Sequence, residues 1–410
     1  MKVLVINAWS SSLKYQVFNM PQKETLAKWL IEKIGLDMSI VNYKAKWEKT
    51  VYEKPIKNHK EALNEAFKLL TEWETAIMNS IGEIEAVWHR VVHGWENFSD
   101  SVIINDNILK EIEACVEIAP LHNPANIEWI MACKSLMNEN VPQIAVFDTA
   151  FHQTMKPEAF LYALPYEYYT KLKIRRYGFH GTSHKYVSGR AAEILWVDIN
   201  NHKMITCHIG SWASITAVLN WKSIDTTTWF TPVAWLVMGT RCGDLDPAVP
   251  NYIAKKEKLT WDEVENIMNK KSGLLWLSWQ SSDMRDIETW DAQCQLALDV
   301  YIHRIVKYIW AYTAEMWWVD SIVFTAWVWE NWPIIRKRIC DKLAYMWITI
   351  DDEKNAIRWE EVILSTKDSK VKVLVVPTEE ELMIATDTYN LVSAVFSWRI
   401  KININNFFTF

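Results

Sequence analysis

Lys2 to Asn7 is a short apolar run rich in β-branched residues, and it predicts a strand. The following WSSSLKYQVFN segment, Trp9 to Asn19, predicts a polar turn and a second strand, so the chain starts as a hairpin whose turn faces a ligand. Ala62, Leu63, Ala66, Leu69 and Leu70 recur at helical spacing within His59 to Ser80, and a polar turn leads from there into the apolar run IEAVWHRVVHG. Helix and then strand follow from that pattern. Pro142 to Phe147 is another short strand, and it leaves Asp148, Thr149 and His152 at its end, where a strand delivers polar groups to a cleft. A first domain boundary falls there.

A second series starts after Tyr177. Lys203 to Ile209 predicts a strand and Ala213 to Leu219 its hairpin partner, repeating the opening unit with GSWAS in place of SSS as the turn. Val319 to Thr325 predicts a strand, Trp332 to Arg338 the start of a helix, Val371 to Val376 a last strand, and Glu379 the approximate start of a last helix. The expected class is α/β with two related domains.

Length agrees with two domains, because 410 residues exceed the size at which a single core stops growing. A net charge of -6 and a pI near 6.0 argue against a general nucleic-acid binder, which needs a basic face. The N-terminal apolar run is too short for a signal-peptide core, and no stretch of about 18 apolar residues offers a membrane span, so a cytoplasmic protein is expected. Cys115, Cys133, Cys207, Cys242, Cys294 and Cys340 stand singly, without metal or redox spacing.

Several blocks carry candidate chemistry, and each also has a structural reading. Hydroxyls and a cation at Ser10 to Lys14 can hold phosphate oxygens, or form an ordinary hairpin turn. Arg90, inside the apolar HRVVHG strand, can grip a carboxylate or phosphate bidentately, or sit in an internal ion pair. YGFHGTSH sets His180 between Phe179 and Gly181, with glycines that let the backbone approach a ligand. MGTRCGDLDP places Arg241 in a glycine-bounded loop, and SSDMR and VPTEEE complete the polar set. Two arginines, a histidine, hydroxyl turns and carboxylates suit phosphoryl transfer, which asks for positioning and positive charge around the phosphoryl oxygens. HxxxH at His180 and His184 lacks the glutamate of a zinc hydrolase, and neither a GxSxG elbow nor a Walker loop occurs.

Taken in order, VINAWSSSLKY, HRVVHGWE, APLHNPAN, VFDTAFHQTM, RRYGFHGTSH, FTP, MGTRCGDLDP, SSDMR, IVFTAWVWEN and VPTEEELMIA resemble acetate kinase from about residue 1 to 390. The resemblance implies two duplicated actin-like (ribonuclease-H-like) domains with a nucleotide and substrate cleft between them, residues 1–149 plus about 381–410 forming the first and 150–380 the second. It implies reversible phosphoryl transfer from ATP to acetate with Mg²⁺, in a homodimer, with propionate or butyrate as alternative acids. By the same resemblance Asn7 and Glu380 would hold Mg²⁺, Arg90 the substrate, and Asp148 would be the catalytic carboxylate. His180 and Arg241 would stabilise the transition state. Lys14, with Ser10 and Ser12, would bind nucleotide phosphate, and the nucleotide would lie along His208, Ile209, Gly210, Ser211 and Trp212, along Asp283, Met284 and Arg285, and along Trp327, Val328, Trp329, Glu330 and Asn331. Val92, Leu121, Phe179 and Pro232 would form the small apolar pocket for the acid's methyl group.

The chain departs from the family at Ser211 and Trp212, Thr228, Cys242 and Glu379, and above all in its glycines. It has 10 glycines and 25 tryptophans, whereas average usage gives about 29 glycines at this length. Trp9, Trp88, Trp95, Trp212, Trp229, Trp235, Trp276, Trp317, Trp318, Trp327 and Trp329 fall where the family carries glycine, and Trp318 and Trp327 are expected in the core. Two readings stand open: a catalytically inactive relative, or glycines in the encoded protein that have been translated under the wrong code.

Overall fold

A computed structural model of the protein describes residues 1–9, 12–119, 122–210, 212–231, 233, 236–288 and 291–407. It divides into two compact units, residues 1–150 with 379–410, and residues 151–378.

The first unit is built on an eight-stranded sheet of β1 (Lys2–Trp9), β2 (Ser12–Asn19), β3 (Glu24–Glu32), β4 (Ser39–Ala45), β5 (Glu48–Lys54), β6 (Ile84–Val91), β7 (Val102–Ile103) and β8 (Gln143–Phe147), in the order β5-β4-β3-β2-β1-β6-β8-β7. β1 pairs antiparallel with β2 and parallel with β6, which in turn pairs parallel with β8. Residues 3 to 7 of β1 are all buried because helices cover both faces. Leu4 and Ile6 join Leu63, Ala66 and Leu69 of the helix His59–Thr71 in one core, while Val3 and Val5 point the other way, to Ile384 and Ala385 of the helix Glu380–Phe407. The period of two in a strand makes this split, and it fixes the register. Asn58 starts the first of these helices by accepting a hydrogen bond from the Glu61 amide at 2.9 Å. The helix stops at Thr71, short of the expected Ser80, and the polar stretch after it carries the turn.

The second unit holds a six-stranded sheet of β9 (Lys203–Ile209), β10 (Ala213–Leu219), β11 (Lys222–Thr226), β12 (Ser321–Thr325), β13 (Val362–Ile363) and β14 (Lys372–Val375), in the order β11-β10-β9-β12-β14-β13. β9 and β10 form a hairpin, and β12 runs parallel to both β9 and β14. Val187 and Ala191 of the helix Gly181–Leu195 pack on Met204, Val218, Val323 and Leu374 of the sheet. The two sheets therefore share one motif: a hairpin whose first strand is followed in the sheet by two parallel crossover strands, β2-β1-β6-β8 in one and β10-β9-β12-β14 in the other. Trp318 and Trp327 do not lie in the core as expected; Trp318 is half-buried and Trp327 is exposed.

Leu69 is fully buried between the sheet and its helix. Leu69→Ala should lower stability by about 2–5 kcal/mol in urea unfolding, and a loss below 1 kcal/mol would contradict this core assignment.

Candidate active site

Both sheets present chemistry at the carboxyl ends of their parallel strands, where α/β sheets bind ligands. In the first unit, β6 carries Arg90, Asp148 follows the last residue of β8, and β1 carries Asn7. Arg90 Nε donates to Asp148 Oδ1 at 2.9 Å and to Oδ2 at 3.1 Å, Nη2 donates to Oδ2 at 2.6 Å, and Nη1 donates to Asn7 Oδ1 at 3.1 Å. This fork-on-carboxylate pair is almost closed to solvent. Burial by itself would lower the Arg90 pKa, but the Asp148 charge overrides it and holds the guanidinium firmly protonated.

Glu380 opens the C-terminal helix beside this pair. Burial first, and then the charges of Glu381 and Asp148, push its carboxyl up to about 7 against the pull of Arg90 and Lys14. Lys14 forms an ion pair with Glu381, so the expected phosphate ligand is held by a carboxylate of its own unit. Val92 is buried, its amide donating to Asn126 Oδ1 at 3.2 Å.

In the second unit the helix Gly181–Leu195 starts at His180, whose backbone is left-handed at φ 54. A four-residue step along the helix sets His184 on the same face, and Ser214 Oγ lies between the two rings, 2.7 Å from His180 Nδ1 and 2.8 Å from His184 Nε2. His184 Nδ1 meets Thr206 Oγ1 at 2.7 Å. Burial, then His152 and His208, drive the His184 pKa well down, so this ring is neutral. His208, on β9, stacks on His180 at 4.3 Å between centroids and meets Ser183 Oγ at 2.7 Å through Nδ1. Phe179 is buried, its amide donating to Thr228 Oγ1 at 2.8 Å.

Arg241 stacks over the Trp212 indole at 4.5 Å, and the same indole lies 6.3 Å from the His180 ring. Its Nη1 is buried with no hydrogen-bond partner, and burial lowers its pKa. An unpaired buried guanidinium nitrogen suits an anionic oxygen.

Ile209 is buried at the end of β9, and the Gly210 amide donates to the Trp212 carbonyl at 2.9 Å in the turn that follows. A Cβ on Gly210 would stand 3.8 Å from Ala326, so this turn meets the end of β12. The short helix Trp327–Asn331, which contains Val328 and Trp329, begins there. Glu330 within it accepts from the Thr378 amide at 3.2 Å, and Asn331 Nδ2 donates to the Trp327 carbonyl at 2.8 Å. Asp283 caps the helix Met284–Ile287, pairs with Arg285 through both carboxylate oxygens, and leaves Arg285 stacked over Trp327 at 4.6 Å; Met284 is buried.

The structure thus brings Asn7, Arg90, Asp148 and Glu380 together in one unit, and gathers His180, His208, Trp212 and Arg241, and separately Asp283, Arg285 and Trp327, in the other. Ser12 lies at the start of β2. Ser10, Leu121, Ser211 and Pro232 lie outside the described residues. From the sequence no role was assigned to Ser214, although it lies in the GSWAS turn, to His184, although its four-residue spacing from His180 was noted, or to Thr206.

The repeated sheet and its phosphate-suited groups are those of a kinase with a duplicated actin-like fold. The chain matches the Acetokinase family over residues 2–386. It is 53% identical over 400 residues to acetate kinase of Thermoanaerobacterium thermosaccharolyticum, covering 96% of this chain and 100% of that protein. With acetate kinase of Thermosipho africanus it shares 54% identity over 398 residues, covering 96% and 98%. Its fold superposes on the crystal structure of Porphyromonas gingivalis acetate kinase with a TM-score of 0.91 at 44% identity, covering 95% and 99% of the two chains, and on a propionate kinase from Francisella tularensis at 0.87, 40% identity and the same coverage. The chain belongs to the acetokinase family.

Ser214→Ala should lower kcat by roughly tenfold or more at unchanged nucleotide KM, because it removes the hydroxyl that holds the His180 and His184 rings. Wild-type kcat in a folded variant would remove Ser214 from the mechanism.

Proposed function

We propose that this enzyme transfers the γ-phosphoryl group of ATP to acetate, reversibly, giving acetyl phosphate and ADP. A carboxylate oxygen of the acid attacks the γ-phosphorus, the bond to the β-γ bridging oxygen breaks, and no proton need move. The carrying observation is Arg241, whose buried, partnerless nitrogen suits the charge that develops on the transferring phosphoryl group, with His180 on the other side of the Trp212 indole that Arg241 stacks on. His208, held by Ser183, stacks on the His180 ring, and Ser214 hydrogen-bonds it, which together orient that ring. Arg90 holds the acid's carboxylate and Asp148 keeps that guanidinium in place, while Val92, Leu121, Phe179 and Pro232 limit the acid's chain length. The Gly210–Trp212 turn, the Asp283–Arg285 segment and the Trp327–Asn331 helix receive the nucleotide, with Lys14, Ser10 and Ser12 toward its phosphates.

Magnesium fits the carboxylate-rich end of the first unit, where the buried Glu380 carboxyl lies within electrostatic reach of Glu381 and Asp148 as well as of Arg90 and Lys14. Among the described residues no three His, Cys, Asp or Glu side chains form a metal cluster, so Asn7 and Glu380 would share the ion with phosphate oxygens and water, the usual arrangement for Mg²⁺. The ion supplies charge neutralisation at the nucleotide phosphates. The two units are taken as duplicated domains, and a cytoplasmic homodimer completes the proposal. The homodimer rests on the family resemblance, and six free thiols suit a reducing compartment.

Trapping acetyl phosphate as its hydroxamate tests the activity, and no product with acetate, ATP and Mg²⁺ would favour an inactive relative, the reading suggested by the Trp212 indole over Arg241. Propionate should be used with a kcat/KM roughly 10–200-fold below that of acetate, the usual discrimination for one methylene, and equal values would reassign the acid. His180→Ala should lower kcat by roughly 100-fold or more while nucleotide KM stays within about twofold. Arg90→Lys and Arg241→Lys should both remain impaired, because an ammonium cannot reproduce the planar fork; wild-type kinetics in either would refute its assigned role.

A further inference from the structure

We infer that Trp95, Trp196, Trp221, Trp279, Trp317, Trp347 and Trp359 are glycines in the polypeptide this gene specifies, written as UGA codons that its cell reads as glycine. All seven have left-handed backbone, with φ between 52 and 65. A side chain with a bulky Cβ substituent takes this region rarely, and only a few per cent of non-glycine residues do so. Among the described residues, fifteen non-glycines have positive φ and seven of them are tryptophan. For 25 tryptophans the usual frequency gives about one.

The local structures name the missing residue. Asn220 and Trp221 are the two residues between Leu219 of β10 and Lys222 of β11, both at positive φ, which is a type I′ hairpin turn. Asn-Gly is the sequence such a turn demands. Trp196 follows the helix Gly181–Leu195, its amide donating to the Glu193 carbonyl at 3.2 Å while Val197 donates to Ala192 at 3.1 Å. That pair of bonds is the Schellman ending, whose left-handed position belongs to glycine. Trp279 and Trp347 are left-handed helix caps as well, and Trp317 follows the end of the helix Ala292–Glu315.

At three of the seven, packing does not offset the strain. Trp196 is 94% exposed, Trp317 92% and Trp279 82%. Gly35, Gly178, Gly243 and Gly273 occupy positive φ as glycine, and tryptophan is the commonest of the residue types among the fifteen non-glycines that do so, ahead of five lysines. Independent mutation gives no reason for that excess of tryptophan. A split by codon does: UGA is a stop in the standard code, tryptophan in one variant code and glycine in another, so reading a glycine-UGA gene with the tryptophan table converts only the UGA-written glycines. The totals fit, since 10 + 25 = 35 matches about 29 glycines and a normal handful of tryptophans.

Of the seven, only Trp95 and Trp317 are also marked by the family resemblance; backbone conformation identifies the other five. Trp327 is helical, and extending the inference to it and to Trp212 rests on the acetate kinase reading. There, glycine would remove the indoles stacked on Arg241 and Arg285.

Codons at the seven positions, and peptide masses of the protein isolated from its own cells, decide the matter. UGA with glycine masses is expected; UGG codons or tryptophan masses would overturn the inference, whatever the enzyme's activity. Stability of the chain as written gives a separate check. The combined Trp196→Gly, Trp279→Gly and Trp317→Gly variant should raise Tm by roughly 2–4 °C per site, whereas Trp47→Gly, 97% exposed and outside the left-handed set, should not raise it. An unchanged Tm in the triple variant, or an equal gain per site at Trp47, would refute the backbone argument.

Discussion

The ion pair of Arg90 with Asp148 organises the chemical end of the first unit. It ties β6 to the end of β8, and through Asn7 it reaches β1, so the three central parallel strands finish in one hydrogen-bonded group. Removing two charges from water costs several kcal/mol per ion, and only close, fully bonded geometry offsets that. A pair of this kind adds little net stability against an apolar substitute. Its value lies in holding a guanidinium in a fixed orientation, which a carboxylate substrate needs.

The second unit solves a related problem with neutral groups. A single hydroxyl, Ser214, sits between two imidazole nitrogens, and it can donate to only one of them. If His184 donates from Nε2 to Ser214, the serine donates to His180 Nδ1, and the remaining proton of His180 stands on Nε2, as a donor. Thr206 Oγ1, 2.7 Å from His184 Nδ1, can donate to that nitrogen and so is compatible with this direction. The neutrality of His184 follows from its burial and leaves the ring one proton, so one of its nitrogens donates and the other accepts.

Both central hairpins were legible because their strands are short apolar runs bounded by small polar turns, and Arg90, Asp148 and His180 stood out as polar groups attached to such runs. The antiparallel extension β3 to β5 was not, since its residues mix charge and apolar character as a half-exposed sheet edge does. The helix Ala292–Glu315 was also missed; apolar residues on most of its circumference blur the helical period. Ser214 could not be linked to His180, 34 residues away, without the β10 register that sets it there. Turns were obscured for a different reason. Glycine punctuates a sequence by its conformational freedom, and an indole written at the same position erases the signal while the hydrogen bonds around it still impose the turn.

Direct attack by the acid's oxygen on phosphorus is the central chemical claim, and acetate labelled with ¹⁸O in its carboxylate tests it most directly. Protein isolated from its own cells, given this acetate with ATP and Mg²⁺, should yield acetyl phosphate whose phosphorus NMR signal carries the isotope shift of one bonded ¹⁸O. A product without that shift would mean that the bridging oxygen did not come from the acid, and would contradict the account.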